Sequence, residues 1–306
     1  MIKAKRIDGK RDLIFYISLV VLPIIQFCIF YIYVNFNSIL LAFQDYNIFK
    51  NEKTFVGFVN FKTAAEKLFA TKDFAIMFKN SFINYGFTLL IGLPFAFFFA
   101  YYVYKKAPLS GLFKVVLYLP QVLSGAVLVI IYRFFVEKGL PELSRIITGV
   151  EMKSLLEGGE REFYTILFFS IFLGFGTQVL MYVSAMGGIN ESVVEAAEMD
   201  GAGFFREMWY VTLPSVFPTA ITFITVGMAG IFTVDMGLFS FRGDNVGDPE
   251  IMNLGYYMYR TLQRDPYNTQ NTLPELSAMG LIFTFMLAPV VFTVRYLLNK
   301  FGPRED

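Results

Sequence analysis

Reactive side chains are scarce in this sequence. Across 306 residues there is no histidine and a single cysteine, Cys28, which excludes an internal disulfide, a Cys/His zinc cluster, a histidine-based triad and a histidine proton relay. No metal site or catalytic set is expected. A phosphate-cradling G-x-x-x-x-G-K-[ST] loop is missing as well, and with it the usual route to binding and splitting ATP. The chemistry that remains is recognition. Glu195 and Asp200 bracket Ala196 and Ala197, with Gly201 next in line; carboxylates beside small side chains make a surface that another protein can approach closely. Asn84, Gln121, Gln178 and Tyr182 lie inside apolar runs and Asp235 at the end of one. Each can hydrogen-bond a polar cargo, and each can equally bond a neighbouring helix. Asp235 can also sit in water at the outer interface.

The elements that hold these groups are set by composition. The chain is 56% hydrophobic and 18% aromatic, with a mean hydropathy of +0.54, which is more apolar surface than a soluble fold of this size hides, so a membrane is the expected solvent. Charged residues make up 17%, with a net charge of +1, and form no basic face, so nucleic acid is not an expected partner. A hydrocarbon core about 30 Å thick needs roughly 20 apolar helical residues. Six stretches meet that length, 13–43, 81–104, 113–136, 163–186, 214–234 and 276–298, predicting an all-α membrane protein of six transmembrane helices. Pro23, Pro94, Pro120 and Pro289 fall inside them and predict kinked helices in a bundle. Asn35 and Asn37 predict that the first run bends or projects beyond the lipid. Residues 1–12 form a basic N-terminus with Lys3, Lys5, Arg6, Lys10 and Arg11; the apolar run after it is too long for a secretory signal and is not closed by a small-residue cleavage site.

With six crossings both termini share one side. Lys105, Lys106 and Lys114 in a short connection and Arg295, Lys300 and Arg304 in the tail join the basic N-terminus on that side, which the positive-inside rule assigns to the cytoplasm. The longer opposite loops also carry cations, among them Lys50, Lys53, Arg145 and Arg161, but weigh less in the rule. The one sizeable inner segment is then 187–213. Asn190 can cap a helix starting at Glu191, which is acidic where the dipole is positive, and Gly201 can close it. A second short helix, 203–210, would lead to Pro214 and the next span. The pattern predicts a helix-turn-helix lying on the membrane face; by spacing alone an ordinary solvated loop with an acidic face is the commoner reading.

Taken together, Glu195-Ala196-Ala197, three residues, Gly201, nine residues, then Val211-Thr212-Leu213-Pro214 resembles the E-A-A loop of permease subunits of bacterial ABC importers. Asn190 stands where that family commonly has proline and Val211 where it has isoleucine. Phe55-Val56-Gly57-Phe58-Val59-Asn60-Phe61 with Asp73-Phe74 and Lys79-Asn80-Ser81, Leu119-Pro120 with Tyr132-Arg133-Phe134-Phe135, and Phe232 to Leu238 are similar to segments of the carbohydrate branch, the maltose-type and glycerol-phosphate-type binding-protein-dependent permeases. The family's Gly-Gly-Pro has become Gly247-Asp248-Pro249.

The resemblance implies a type I ABC importer permease fold in the bacterial cell membrane, which forms half of a translocation pathway. It implies that Glu195, Ala196, Ala197, Asp200, Gly201, Leu213 and Pro214 couple to the ATPase: Glu195 as the polar contact, Gly201 the turn, Pro214 the return into the membrane. The implied partners are a homologous second permease, two ATP-binding-cassette subunits that hold the ATP and Mg, an extracytoplasmic solute-binding protein and a carbohydrate substrate. Asn84, Gln121, Gln178, Tyr182 and Asp235 are then the candidates for the substrate path, since sugars need hydrogen bonds and flat apolar faces; Phe97, Phe98 and Phe99 read as lipid-facing or packing residues. The alternative is an ion-gradient-driven secondary transporter or channel, a class that normally shows intramembrane carboxylates, histidines or lysines, which the span interiors almost entirely lack.

Overall fold

A long uninterrupted apolar stretch satisfies its backbone in hydrocarbon within itself by forming a helix, and helices dominate the computed structural model. It describes residues 10–47, 52–243, 249–267 and 271–303. The basic residues Lys3, Lys5, Arg6, Lys50 and Arg304 and the Gly247-Asp248 pair therefore lie outside the described residues. In chain order come α1 (Ile14–Leu41), a hairpin of β1 (Gln44–Asn47) and β2 (Glu52–Phe55), α2 (Val59–Ala70), α3 (Lys72–Tyr104), α4 (Ser110–Val122), α5 (Gly125–Thr148), α6 (Gly159–Met186), α7 (Glu191–Met199), α8 (Phe204–Ala229), α9 (Leu238–Arg242), α10 (Leu254–Arg264) and α11 (Thr272–Phe301). Among the described residues α1, α3, α6, α8 and α11 are each long and apolar enough to cross a membrane, and α4 with α5 makes a sixth only if this bent pair is taken as one span.

The break between α4 and α5 corrects the expectation of one continuous helix over 113–136. α4 and α5 meet at a bend of 108°. Pro120 removes a helical N–H near the end of α4, Leu123 and Ser124 are extended, and Ser124-Gly125 supplies the punctuation that starts α5 afresh. Three other prolines are accommodated without a break. The π-helical turns Thr88–Gly92, Phe135–Gly139 and Met208–Thr212 are each followed directly by a Leu-Pro pair, ending in Pro94, Pro141 and Pro214. In each, the carbonyl that the proline ring would strike, four residues back, falls inside the wider turn, so the helix passes the proline instead of stopping.

The chain divides into two units. One comprises Met1–Glu66 with Asp265–Ile282. There β1 pairs antiparallel with β2, Asn60 donates to the carbonyls of Ala42 and Gln44, Phe43, Phe58 and Phe61 pack ring to ring, and Asn271 accepts the Tyr46 amide. The other unit comprises Lys67–Arg264 with Phe283–Asp306, and its core is where α3, α6 and α8 meet. Ala96, Phe97, Ala100 and Tyr101 of α3 pack with Val179, Tyr182 and Met186 of α6 and with Met208, Val216 and Ala220 of α8. The two alanines let the helices approach closely, which is how helices associate where lipid offers no hydrophobic drive. Gly176 takes this furthest: a Cβ there would lie 2.4 Å from the Leu117 carbonyl oxygen of α4.

Candidate functional site

The E-A-A segment begins as its residue types dictate. The Asn190 backbone is extended and its side chain accepts the Ser192 amide at 3.2 Å, satisfying an orphan donor, and Glu191 follows at the positive end of α7. The helix ends at Asp200, and Gly201 takes the left-handed conformation with φ +78°. The Gly201 and Ala202 amides then bond back to the Glu198 and Ala197 carbonyls, a closure that glycine permits without steric cost. Glu195, Ala196 and Asp200 are exposed and Ala197 is half-buried. Around them Val193, Met199, Phe205 and Tyr210 also face outward, Met199 with 83% of its surface open. Small, apolar and acidic groups are thus exposed together along α7 and the start of α8.

The second arm of this segment differs from expectation. A separate short helix over 203–210 does not form; α8 starts at Phe204 and continues to Ala229 through the π turn at Met208–Thr212. Leu213 and Pro214 are half-buried inside this helix, so the return toward the membrane begins at Phe204, ahead of Pro214. The physical reason is the wide turn, which lets a proline sit within a helix that the sequence pattern would end.

What fixes α7 to the rest of the unit is a set of residues that sequence reasoning missed. Lys105, just past the end of α3, places its Nζ 2.8 Å from Glu207 Oε2 and 3.0 Å from Glu198 Oε1. Glu207 is 2% exposed and its Oε1 has no hydrogen-bond partner. Tyr101 donates its hydroxyl proton to the Phe204 carbonyl at 3.0 Å, with the two rings 4.7 Å apart. Partial burial pulls the Lys105 pKa down, but the hydrogen bonds and charges of Glu207 and Glu198 outweigh it and leave the pKa above the usual lysine value. The ammonium therefore stays charged throughout the neutral range. No local pattern marks the trio, because Glu198 and Glu207 lie 93 (198 − 105) and 102 (207 − 105) residues beyond Lys105 in sequence.

The five substrate-path candidates have different surroundings. Gln121 is committed to helix packing: its Nε2 donates to the Leu173 carbonyl at 2.8 Å and its Oε1 accepts from Thr177 at 3.0 Å, tying α4 to α6. Tyr182 is 2% exposed and packs against Phe97 and Phe223. Asn84 is buried with its Oδ1 unpaired, and Gln178 is half-buried with its Oε1 toward Gly92 of α3. Asp235 is half-buried and accepts the Gly237 amide at 3.0 Å, which makes it the start of the turn into α9. At the same end of the unit, Glu162 at the start of α6 receives a two-pronged hydrogen bond from Arg242, which also donates to the Leu156 carbonyl. The Glu162 bond, ahead of burial that works against it, raises the arginine pKa.

The comparisons agree with this architecture. The chain is 26% identical over 307 residues to Protein LplB of Bacillus subtilis, covering 95% of this chain and 90% of that one. It is 24% identical to the arabinooligosaccharides transport system permease protein AraP of Halalkalibacterium halodurans, covering 91% and 85%. It is 25% identical to the sn-glycerol-3-phosphate transport system permease protein UgpA of Pectobacterium atrosepticum, covering 67% and 68%. A bacterial alginate ABC transporter, solved with its alginate pentasaccharide-bound periplasmic protein, superposes with a TM-score of 0.76 over 97% of this chain and 98% of that one, at 20% identity. That likeness gives the type I permease fold. Residues 92–306 match the model of the binding-protein-dependent transport system inner membrane component, and this multi-pass membrane chain belongs to that family of importer permeases, whose ATPase is a separate subunit.

Proposed function

We propose that the chain is one of two permease halves of an ATP-driven importer for a carbohydrate, with α7 and both termini on the cytoplasmic side. The single observation that carries this reading is the presentation of α7: Glu195 and Ala196 exposed on a helix capped at one end, closed by Gly201 at the other, and joined through Glu198 to the end of α3. Two ATP-binding-cassette subunits, which hold ATP and Mg, dock there and drive the helices as rigid bodies. Leu213 and Pro214 transmit that movement within α8. An extracytoplasmic binding protein delivers the cargo to the opposite face, and a second homologous permease completes the path. Support for the cargo class comes from the relatives, named for arabinooligosaccharides, sn-glycerol-3-phosphate and alginate. Asn84, with its unpaired Oδ1, and Gln178 are the path candidates best placed to serve a cargo, because Gln121, Tyr182 and Asp235 are held by their own neighbours.

The test is Glu195→Lys in the assembled transporter. Reversing an exposed charge leaves insertion and folding intact and lowers substrate-stimulated ATP hydrolysis and uptake by about tenfold or more. Wild-type hydrolysis and uptake in that variant would sink the assignment of α7 as the coupling helix.

A further inference from the structure

The polar groups behind α7 are more than ballast. Lys105 leaves the end of α3 and contacts two carboxylates with opposite surroundings: Glu207, whose side chain is 2% exposed, and Glu198, whose side chain is 56% exposed. Glu198 belongs to α7 and Glu207 to the first turn of α8, so one ammonium bridges both sides of the Gly201 turn. The inner contact is shielded from solvent and cannot be replaced by water without stranding a buried carboxylate. The outer contact is wet, screened and readily exchanged. Tyr101, one helical turn before Lys105, adds a fixed neutral bond to the Phe204 carbonyl. The C-terminal end of α3 also favours a cation, because the last carbonyls of a helix carry partial negative charge.

We propose that Lys105 is a positioning residue for the coupling helix, holding α7 to α3 and α8 through a permanent inner arm to Glu207 and a releasable outer arm to Glu198. Rigid-body coupling needs α7 to pull on the membrane helices without trailing slack. A bridge anchored in the buried base of α8 supplies that connection, while the exposed arm lets α7 tilt as the ATPase moves. The proposal rests on the reading of α7 as the element that meets the ATPase, and the experiment separates the two.

Hydrogen exchange of the amides in 191–203 is measured on the full chain in nanodiscs, and substrate-stimulated ATP hydrolysis on the assembled transporter. Lys105→Met combined with Glu207→Gln removes the half-buried ammonium together with the buried carboxylate it pairs with, so the carboxylate is not stranded. It speeds exchange in 191–203 by about tenfold or more with little change elsewhere, and lowers stimulated hydrolysis. Glu198→Gln, at an exposed site that does not threaten folding, speeds the same exchange roughly two- to fivefold. Lys105→Arg, which keeps the charge, restores near wild-type values in both measurements. Exchange unchanged in Glu198→Gln and in the double variant would overturn the proposal, and if the double variant does not fold, Glu198→Gln with Lys105→Arg decides it. Faster exchange with wild-type hydrolysis and uptake would overturn the positioning role of Lys105 in coupling, while the assignment of α7 itself stands or falls with Glu195→Lys.

Discussion

At Gly176 the backbone of α6 comes so near α4 that a single methyl group has no room, the Leu117 carbonyl oxygen standing 2.4 Å from where its carbon would be. Two polar contacts depend on that closeness, because Gln121 of α4 reaches the Leu173 carbonyl and Thr177 of α6 only while the helices remain in contact. Gly176→Ala must therefore push α4 away, which costs about 1–3 kcal/mol for overpacking and loosens the Gln121 bonds. Gly174, two residues earlier, has open space around its α-carbon, and alanine there gains helix propensity, about 0.5–1 kcal/mol. A thermal unfolding series in detergent should show Gly176→Ala below wild type and Gly174→Ala level with it or above. Equal midpoints for the two variants would mean that α4 is not seated against α6 as described. The same comparison bears on the polar residues of the spans: Gln121 serves the packing, and a substitution there acts on the fold before it acts on any cargo.

Short helices depend on how they are ended, and the turn after α7 shows what glycine contributes. Gly201 has φ +78°, and nothing lies within 4 Å of where a Cβ would stand, so the obstacle to substitution is conformational. Asparagine and aspartate tolerate this region several-fold better than other residues, and a β-branched residue is a genuine outlier there. Gly201→Asn should keep the turn, whereas Gly201→Val should cost about 1–2 kcal/mol more and unwind the end of α7. Amide exchange at Gly201 and Ala202, whose N–H groups close the turn, measures the difference; indistinguishable exchange in the two variants would contradict the left-handed closure. This turn, like the Asn190 cap, is legible in the sequence because the interactions that make it are local: a side chain two residues from its partner, a glycine at the end of a helical run. The break between α4 and α5 is not, since Ser124-Gly125 is a weak signal inside an apolar stretch long enough to span. Nor is the extension of α8 back to Phe204, because a proline preceded by a π turn reads in sequence as a boundary. Lys105 with Glu198 and Glu207 is least legible, joining three elements far apart in the chain, with nothing at any of the three positions to announce the others.

Space between the helices is not by itself a path for a sugar. A cavity of about 430 Å³ lies between α3 and α6, but its lining, Phe87, Ile91, Phe95, Tyr164, Phe168 and Phe172 among others, is almost wholly apolar. A cargo covered in hydroxyls would lose its water there with little to replace it, at several kcal/mol for each stranded group. α1 presents apolar side chains on all sides, with none of its crossing buried. On the proposed reading a polar route forms between this chain and a second permease, with Asn84 and Gln178 the candidates for one wall of it. Expressed with a homologous second permease and the two ATP-binding-cassette subunits, the chain should be recovered as a complex with one copy of each permease, as read by native mass spectrometry. The permease pair alone should not hydrolyse ATP. Hydrolysis should appear when the ATP-binding-cassette subunits are present and rise when loaded binding protein is added. A complex containing two copies of this chain and no second permease would instead require the path to be symmetric, with Asn84 and Gln178 meeting their own counterparts across a two-fold axis.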